Sequence, residues 1–167
     1  MIGGPARGTL AARRSPIILS SYHPILPHMP TYLTRRITFA AAHRYRIAEW
    51  SDAKNEATFG PCARVSFHGH SYTCDVTVMG PVDPVTGFAV DLGQLDAVLH
   101  AEVRDRFDHR NINVDVPEFA DGRLVPTGEN LARFICDRVQ AALGDTTRVT
   151  RVVVAEDATL SATYEPE

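Results

Sequence analysis

Lysine is all but missing from this chain: Lys54 stands alone among 17 basic residues, and Arg supplies the rest. The formal net charge is −3, which disfavours a dedicated nucleic-acid binder, a local basic patch apart. Cysteine is scarce as well. Three of them, an odd number at irregular spacing, do not make a disulfide framework and point to a reducing, cytoplasmic compartment. No apolar run approaches the roughly 20 residues that cross a bilayer, so no membrane span is expected. Acidic residues are absent before Glu49, and Gly3, Gly4, Pro5, Ser15, Pro16, Pro24 and Pro27 break residues 1–28 into a stretch without usable periodicity. That stretch lacks the apolar core of a secretory signal, although Arg7, Arg13 and Arg14 without acids weakly resemble a transit peptide. Residues 1–31 are expected to be a disordered extension or an over-long start, with Met29 as the alternative first residue. What is present is ordinary for a soluble globular protein: 167 residues, 44% hydrophobic and 22% charged, enough for one domain over 32–167.

From Tyr32 the sequence falls into units. Thr34–His43 reads as a strand with Ile37, Phe39, Ala41 and His43 on one face by period two. His68–Met79 reads as a second, grouping His68, His70, Tyr72, Cys74, Val76 and Val78. Residues 44–66 between them form a connection longer than most loops in a compact domain, a hint of function. A turn over Gly80–Gly87 leads to a short strand at Phe88–Val90. Asp91 is placed to N-cap a helix with Leu92, Leu95, Val98, Leu99 and Val103 at helical spacing. Thr127, after Pro126, starts a second helix with Glu129 in its first turn and Leu131, Ile135, Val139 and Leu143 as its stripe. Arg148–Ala155 and Leu160–Tyr164 close the chain as strands. Cys74 and Cys136 read as packing residues of a strand and a helix. This order predicts an α+β domain, an antiparallel sheet with helices on one face.

The chemistry concentrates at His68-Gly69-His70. Histidines at i and i+2 of a strand project to the same side, and His43 on a neighbouring strand completes three imidazoles. Three neutral ligands leave one tetrahedral position of Zn²⁺ open, the pattern of a catalytic site. Cys62, close by in sequence, supplies an ionisable group beside it. For the HGH segment alone, the competing reading is a surface turn with solvated histidines.

Six pieces in order change that balance: Phe39-Ala40-Ala41-Ala42-His43-Arg44, Cys62 with His68-Gly69-His70, Asp83-Pro84-Val85-Thr86-Gly87, Asp108-His109-Arg110-Asn111, Pro126-Thr127-Gly128-Glu129-Asn130, and Glu156. Together they resemble the 6-pyruvoyl-tetrahydropterin synthase family, which includes the queuosine-pathway 6-carboxytetrahydropterin synthases. Each alone is weak; in family order, chance explains them poorly. The resemblance implies a tunnelling fold (T-fold): a four-stranded antiparallel sheet with two helices, trimerising into a β-barrel without free edges and commonly pairing into a hexamer. It implies that His43, His68 and His70 hold zinc, and that Cys62 is the catalytic cysteine. Asp108 and His109 would work with Cys62 from a neighbouring subunit, and Glu156 would anchor the pterin ring. Thr127 and Glu129 are helix-capping residues first and pterin contacts second. The implied substrate is 7,8-dihydroneopterin triphosphate.

These roles make physical sense. A carboxylate accepts two adjacent N–H groups of a pterin edge bidentately. Zn²⁺ acts as a Lewis acid on the substrate's hydroxyls. An imidazole oriented by Asp108 is a suitable partner for a thiol in proton transfer. Asp108 also has a bland reading, as a cap or a partner of Arg110 at a helix end, with His109 then only a cation near a helix C-terminus. Glu156 likewise reads as a solvated acid at a strand's edge. Two chemistries occur in the family, one forming 6-pyruvoyl-tetrahydropterin and the other 6-carboxytetrahydropterin. The five residues between Cys62 and His68, and the long connection before Cys62, resemble the pyruvoyl-forming branch, whereas Arg64-Val65-Ser66-Phe67 departs from its usual Asn- and Gly-rich spacer. A pterin- or zinc-binding homologue without turnover is the reading from another class.

Overall fold

The computed structural model of the protein describes residues 31–167; the extension expected before them lies outside the described residues. Two long strands, β1 (Thr31–His43) and β2 (His68–Gly80), pair antiparallel without a break, from Thr31 opposite Gly80 to His43 opposite His68. Period-two burial runs along both. Ile37, Phe39, Ala41 and His43 point inward beside Tyr72, Cys74, Val76 and Val78, and Phe39 stacks on Tyr72 with ring centroids 4.8 Å apart.

Helix α1 (Asp52–Phe59) interrupts the connection between these strands. After β2 come α2 (Leu92–Leu99), a π-helical turn over His100–Arg104, and α3 (Asp105–Phe107). The short strand β3 (Arg110–Asn111), the single turn α4 (Ile112–Asp115) and the long α5 (Gly128–Leu143) follow, then β4 (Arg148–Ala155) and β5 (Ser161–Tyr164). The expected caps are in place: Asp91 accepts from the Gly93 and Gln94 N–H groups, and Thr127 from that of Asn130. One core joins the inward strand residues to Leu95, Leu99 and Val103 and to the α5 stripe Leu131, Ile135, Val139 and Leu143. Cys74 and Cys136 are buried in it. No helix among the described residues is long and apolar enough to cross a membrane.

Three expectations need correction. The sheet has five strands, not four, in the order β3-β1-β2-β4-β5, and it is mixed because β3 pairs parallel to β1 at Ala41 and Ala42. Phe88–Val90 is not a strand. Its loop closes on itself, the Asp83 N–H donating to the Phe88 carbonyl and the Gly87 N–H to that of Asp83, and Phe88 is left exposed. Leu92 is also exposed and adds nothing to the buried stripe of α2.

Candidate metal centre and adjoining cavity

The β1–β2 register sets His43 opposite His68 and Ala41 opposite His70, so three imidazoles gather at one end of the hairpin on its inward side. One ring nitrogen from each of His43, His68 and His70 lies within 4.8 Å of the others. His43 is fully buried, and its Nδ1 is 3.0 Å from the Pro126 carbonyl oxygen. A carbonyl only accepts, so Nδ1 carries the proton and the Nε2 lone pair faces inward, 3.1 Å from His68 Nε2. The Tyr72 hydroxyl sits 3.1 Å from the same Nδ1. His70 Nε2 is buried without any hydrogen-bond partner among the described residues. Two ring nitrogens this close and a third left orphaned are a donor set that a cation would satisfy. Burial drives His43 down to about 4, with His68 and His70 adding to the effect against the Pro126 bond. His68 is lowered too, mainly by burial. Both are therefore neutral at pH 7, the form that binds a metal ion. Gly69 keeps the strands close: a Cβ there would lie 3.3 Å from the Ala41 carbonyl oxygen.

Glu156, immediately after β4, is only 6% exposed, so the solvated-acid reading does not describe it. Its Oε2 lies 3.8 Å from His70 Nε2, and the Tyr45 hydroxyl donates to its Oε1 at 2.8 Å. Burial and this carboxylate push the Tyr45 phenol up, so it remains a donor. A cavity of about 240 Å³ opens beside the pair, lined by Tyr45, Phe59, Thr127, Gly128, Glu156 and Leu160. Glu129 reaches its rim, while the Thr127 side chain is spent on capping α5.

Cys62 is half-buried on the short helical turn Gly60–Ala63, whose position is fixed by the Tyr45 N–H donating to the Cys62 carbonyl at 2.8 Å. Burial, then the Glu156 charge, raises its thiol above the ordinary value. Asp108 and His109 lie elsewhere. Asp108 Oδ1 accepts from the Ala40 N–H at 2.8 Å while the His109 N–H donates to the Ala40 carbonyl at 2.6 Å, clamping one residue of β1 from both sides. That bond is the main cause holding the Asp108 carboxyl below the usual range. Its ionic partner is Arg104, at 3.7 Å, and not Arg110. His109, with its side chain 86% exposed, stands 3.8 Å from Asp108 at a depression shared with Gly69 and Ser71. Among the described residues no hydrogen bond joins it to Cys62. Among the described residues, His109 and Phe67 are the non-glycine residues with positive φ, +57° and +58°, each beside the proposed machinery, where backbone strain concentrates.

Tyr45, Tyr72 and Phe59 escaped the sequence reading as site residues. Tyr72 was findable, since it shares the inward face of His68 and His70; Tyr45 and Phe59 carry no periodic signal.

The sequence profile described as 6-pyruvoyl tetrahydropterin synthase matches residues 32–167. The 6-pyruvoyl tetrahydrobiopterin synthase of Drosophila melanogaster is 40% identical over 112 residues, 67% of this chain and 66% of that protein. A 6-carboxy-5,6,7,8-tetrahydropterin synthase of Bacillus subtilis is 34% identical over 113 residues, 65% of this chain and 73% of that protein. The solved structure of Caenorhabditis elegans 6-pyruvoyl tetrahydropterin synthase superposes with a TM-score of 0.77 at 31% identity, covering 83% of this chain and 97% of that one. Profile, relatives and fold agree with the hairpin that carries the three histidines, and the chain belongs to the 6-pyruvoyl tetrahydropterin synthase family.

Proposed function

We propose that the protein is a zinc-dependent 6-pyruvoyl-tetrahydropterin synthase, a lyase that converts 7,8-dihydroneopterin triphosphate to 6-pyruvoyl-tetrahydropterin with loss of triphosphate. The observation that carries this reading is the approach of a buried carboxylate to a converging imidazole set: Glu156 Oε2 is 3.8 Å from His70 Nε2, so one small ligand reaches both. Zn²⁺ held by His43, His68 and His70 would polarise the substrate's side-chain hydroxyls and acidify the adjacent carbon-bound protons. Glu156 accepts the N–H edge of the pterin and fixes the ring in the cavity, leaving the side chain toward the histidines. Cys62, whose thiol is raised by burial, keeps its proton until a base takes it. His109, oriented by Asp108, is that base, and because no hydrogen bond joins it to Cys62 among the described residues it comes from a second copy. Thr127 and Glu129 border the ring. The resemblance of the Cys62–His68 spacing to the pyruvoyl-forming branch, and the higher identity to a relative of that name, favour this product over the carboxylate.

The assembly that completes the site is a homotrimer closed into a barrel, single or paired into a hexamer, in the reducing cytoplasm; Cys62, Cys74 and Cys136 are free thiols, as such a compartment keeps them. Incubation of the purified protein with Zn²⁺ and 7,8-dihydroneopterin triphosphate, with product identification by mass spectrometry, tests the reaction. 6-Pyruvoyl-tetrahydropterin is expected. 6-Carboxytetrahydropterin with acetaldehyde would reassign the activity, and no product would reduce the protein to a binder.

A further inference from the structure

We propose that Tyr45 is a positioning residue for the pterin anchor: its hydroxyl holds the Glu156 carboxylate in the orientation that reads the ring. This rests on the proposed role of Glu156. The phenol donates to Oε1 at 2.8 Å. Among the described residues no other side-chain hydrogen bond reaches this carboxylate, although it is 6% exposed, and His70 Nε2 stands 3.8 Å from Oε2. A buried carboxylate with one firm donor depends on that donor for its rotation as well as its solvation.

The donor itself is held from several sides. The Tyr45 ring meets His43 edge-on with centroids 5.0 Å apart, and Phe59 at 5.9 Å. Its N–H is bound to the Cys62 carbonyl at 2.8 Å. The preceding residue is fixed at both backbone groups, the Arg44 N–H donating to Asn113 Oδ1 at 2.9 Å and Asn113 Nδ2 to the Arg44 carbonyl at 3.2 Å. The hydroxyl position is thus set by the candidate metal ligand and the Cys62 turn together, and it is passed on to Glu156. Each carboxylate oxygen has two acceptor sites. Tyr45 takes one on Oε1, leaving the other, and both on Oε2, to face a pair of ligand N–H donors. Without the phenol, no side-chain hydrogen bond among the described residues keeps the carboxylate from turning toward His70.

Tyr45→Phe removes one oxygen and keeps the ring packing. Biopterin is titrated by calorimetry into zinc-loaded wild type, Tyr45→Phe, Glu156→Gln and the double variant, with zinc measured on the same samples. Tyr45→Phe is expected to bind biopterin roughly tenfold more weakly at unchanged zinc content, and in turnover to raise KM more than it lowers kcat. In the Glu156→Gln background the same substitution should cost little, because Tyr45 acts through Glu156. An equal loss in both backgrounds would overturn the inference, since the phenol would then act on the ligand or the fold directly. Full affinity in Tyr45→Phe would also overturn it while leaving Glu156 as the anchor. Failure of the wild type to bind biopterin would overturn the pterin reading and the inference with it.

Discussion

At the scale of single residues, the histidines and Cys62 divide the work in a way that substitutions separate. His70 Nε2 has no hydrogen-bond partner among the described residues, so its proposed place is on the metal. His70→Ala should therefore lower zinc from about one per chain, the stoichiometry of a three-histidine site, and metal analysis reads the loss. Unchanged zinc would remove His70 from the ligand set. Cys62 is half-buried on the Gly60–Ala63 turn and stands outside the proposed histidine ligand set, and its proposed role is proton transfer. Cys62→Ala should keep its zinc and lose turnover by about 10²–10⁴-fold, the usual contribution of a positioned proton-transfer group. A variant that instead lost its metal would make Cys62 a fourth ligand and the site structural. Much of this was legible in the chain itself, because the i, i+2 spacing of His68 and His70 on a strand dictates one face whatever the fold around it. The buried setting of Glu156 was not. There it accepts a hydrogen bond from Tyr45, 111 positions away, and no local pattern announces that bond.

Elements tell the same story in larger pieces. The faces of β1 and β2, the Asp91 and Thr127 caps and the α5 stripe follow from periodicity and capping chemistry, and all are present in the structure. Helix α1 was missed because it has no apolar stripe to read: its buried residue is Asn55, whose side-chain amide donates to the carbonyls of Ile47, Trp50 and Ser51 and so ties helix to loop. β3 is two residues long and pairs parallel with β1, a long-range contact beyond any local signal. Where elements are joined by charge, pH exposes the joint. Glu102, in the π-helical turn, accepts from Arg138 of α5 at 2.8 and 3.2 Å and from Arg106 at 3.0 Å. The Arg138 hydrogen bond is the main cause holding its carboxyl below the ordinary 4.5. The folded form therefore binds the proton less readily than the unfolded one, and the stabilisation is complete above pH 4.5 and lost as pH falls through the lower folded value. Glu102→Gln should cost about 1–2 kcal/mol at pH 7, a modest figure because the Arg138 side chain is 40% exposed. Thermal melts of wild type and variant should converge as pH drops below 4.5; a gap independent of pH would assign the loss to packing.

For the whole molecule, the sheet is unfinished at both ends. Among the described residues β1 is covered on its outer side only at Ala41 and Ala42, and β5 has no neighbour beyond it. Long exposed edges of this kind are normally paired or closed off, and pairing β1 of one copy with β5 of the next would close them into the proposed barrel. The helix-free face that would line it is polar, with Arg36 donating twice to Asp75 at 2.6 Å and Thr34 bonded to Thr77. Closure also answers the lack of a hydrogen bond between His109 and Cys62 among the described residues, since a site shared between copies needs each residue only once. Composite sites predict complementation. Cys62→Ala and His109→Ala chains are each expected to be inactive in turnover. Unfolded, mixed in equal amounts and refolded together, they should regain about a quarter of wild-type activity, because random assembly puts an intact Cys62 and an intact His109 together at that fraction of sites. Sites built within one chain would stay dead in every mixture, and that result would overturn the shared site.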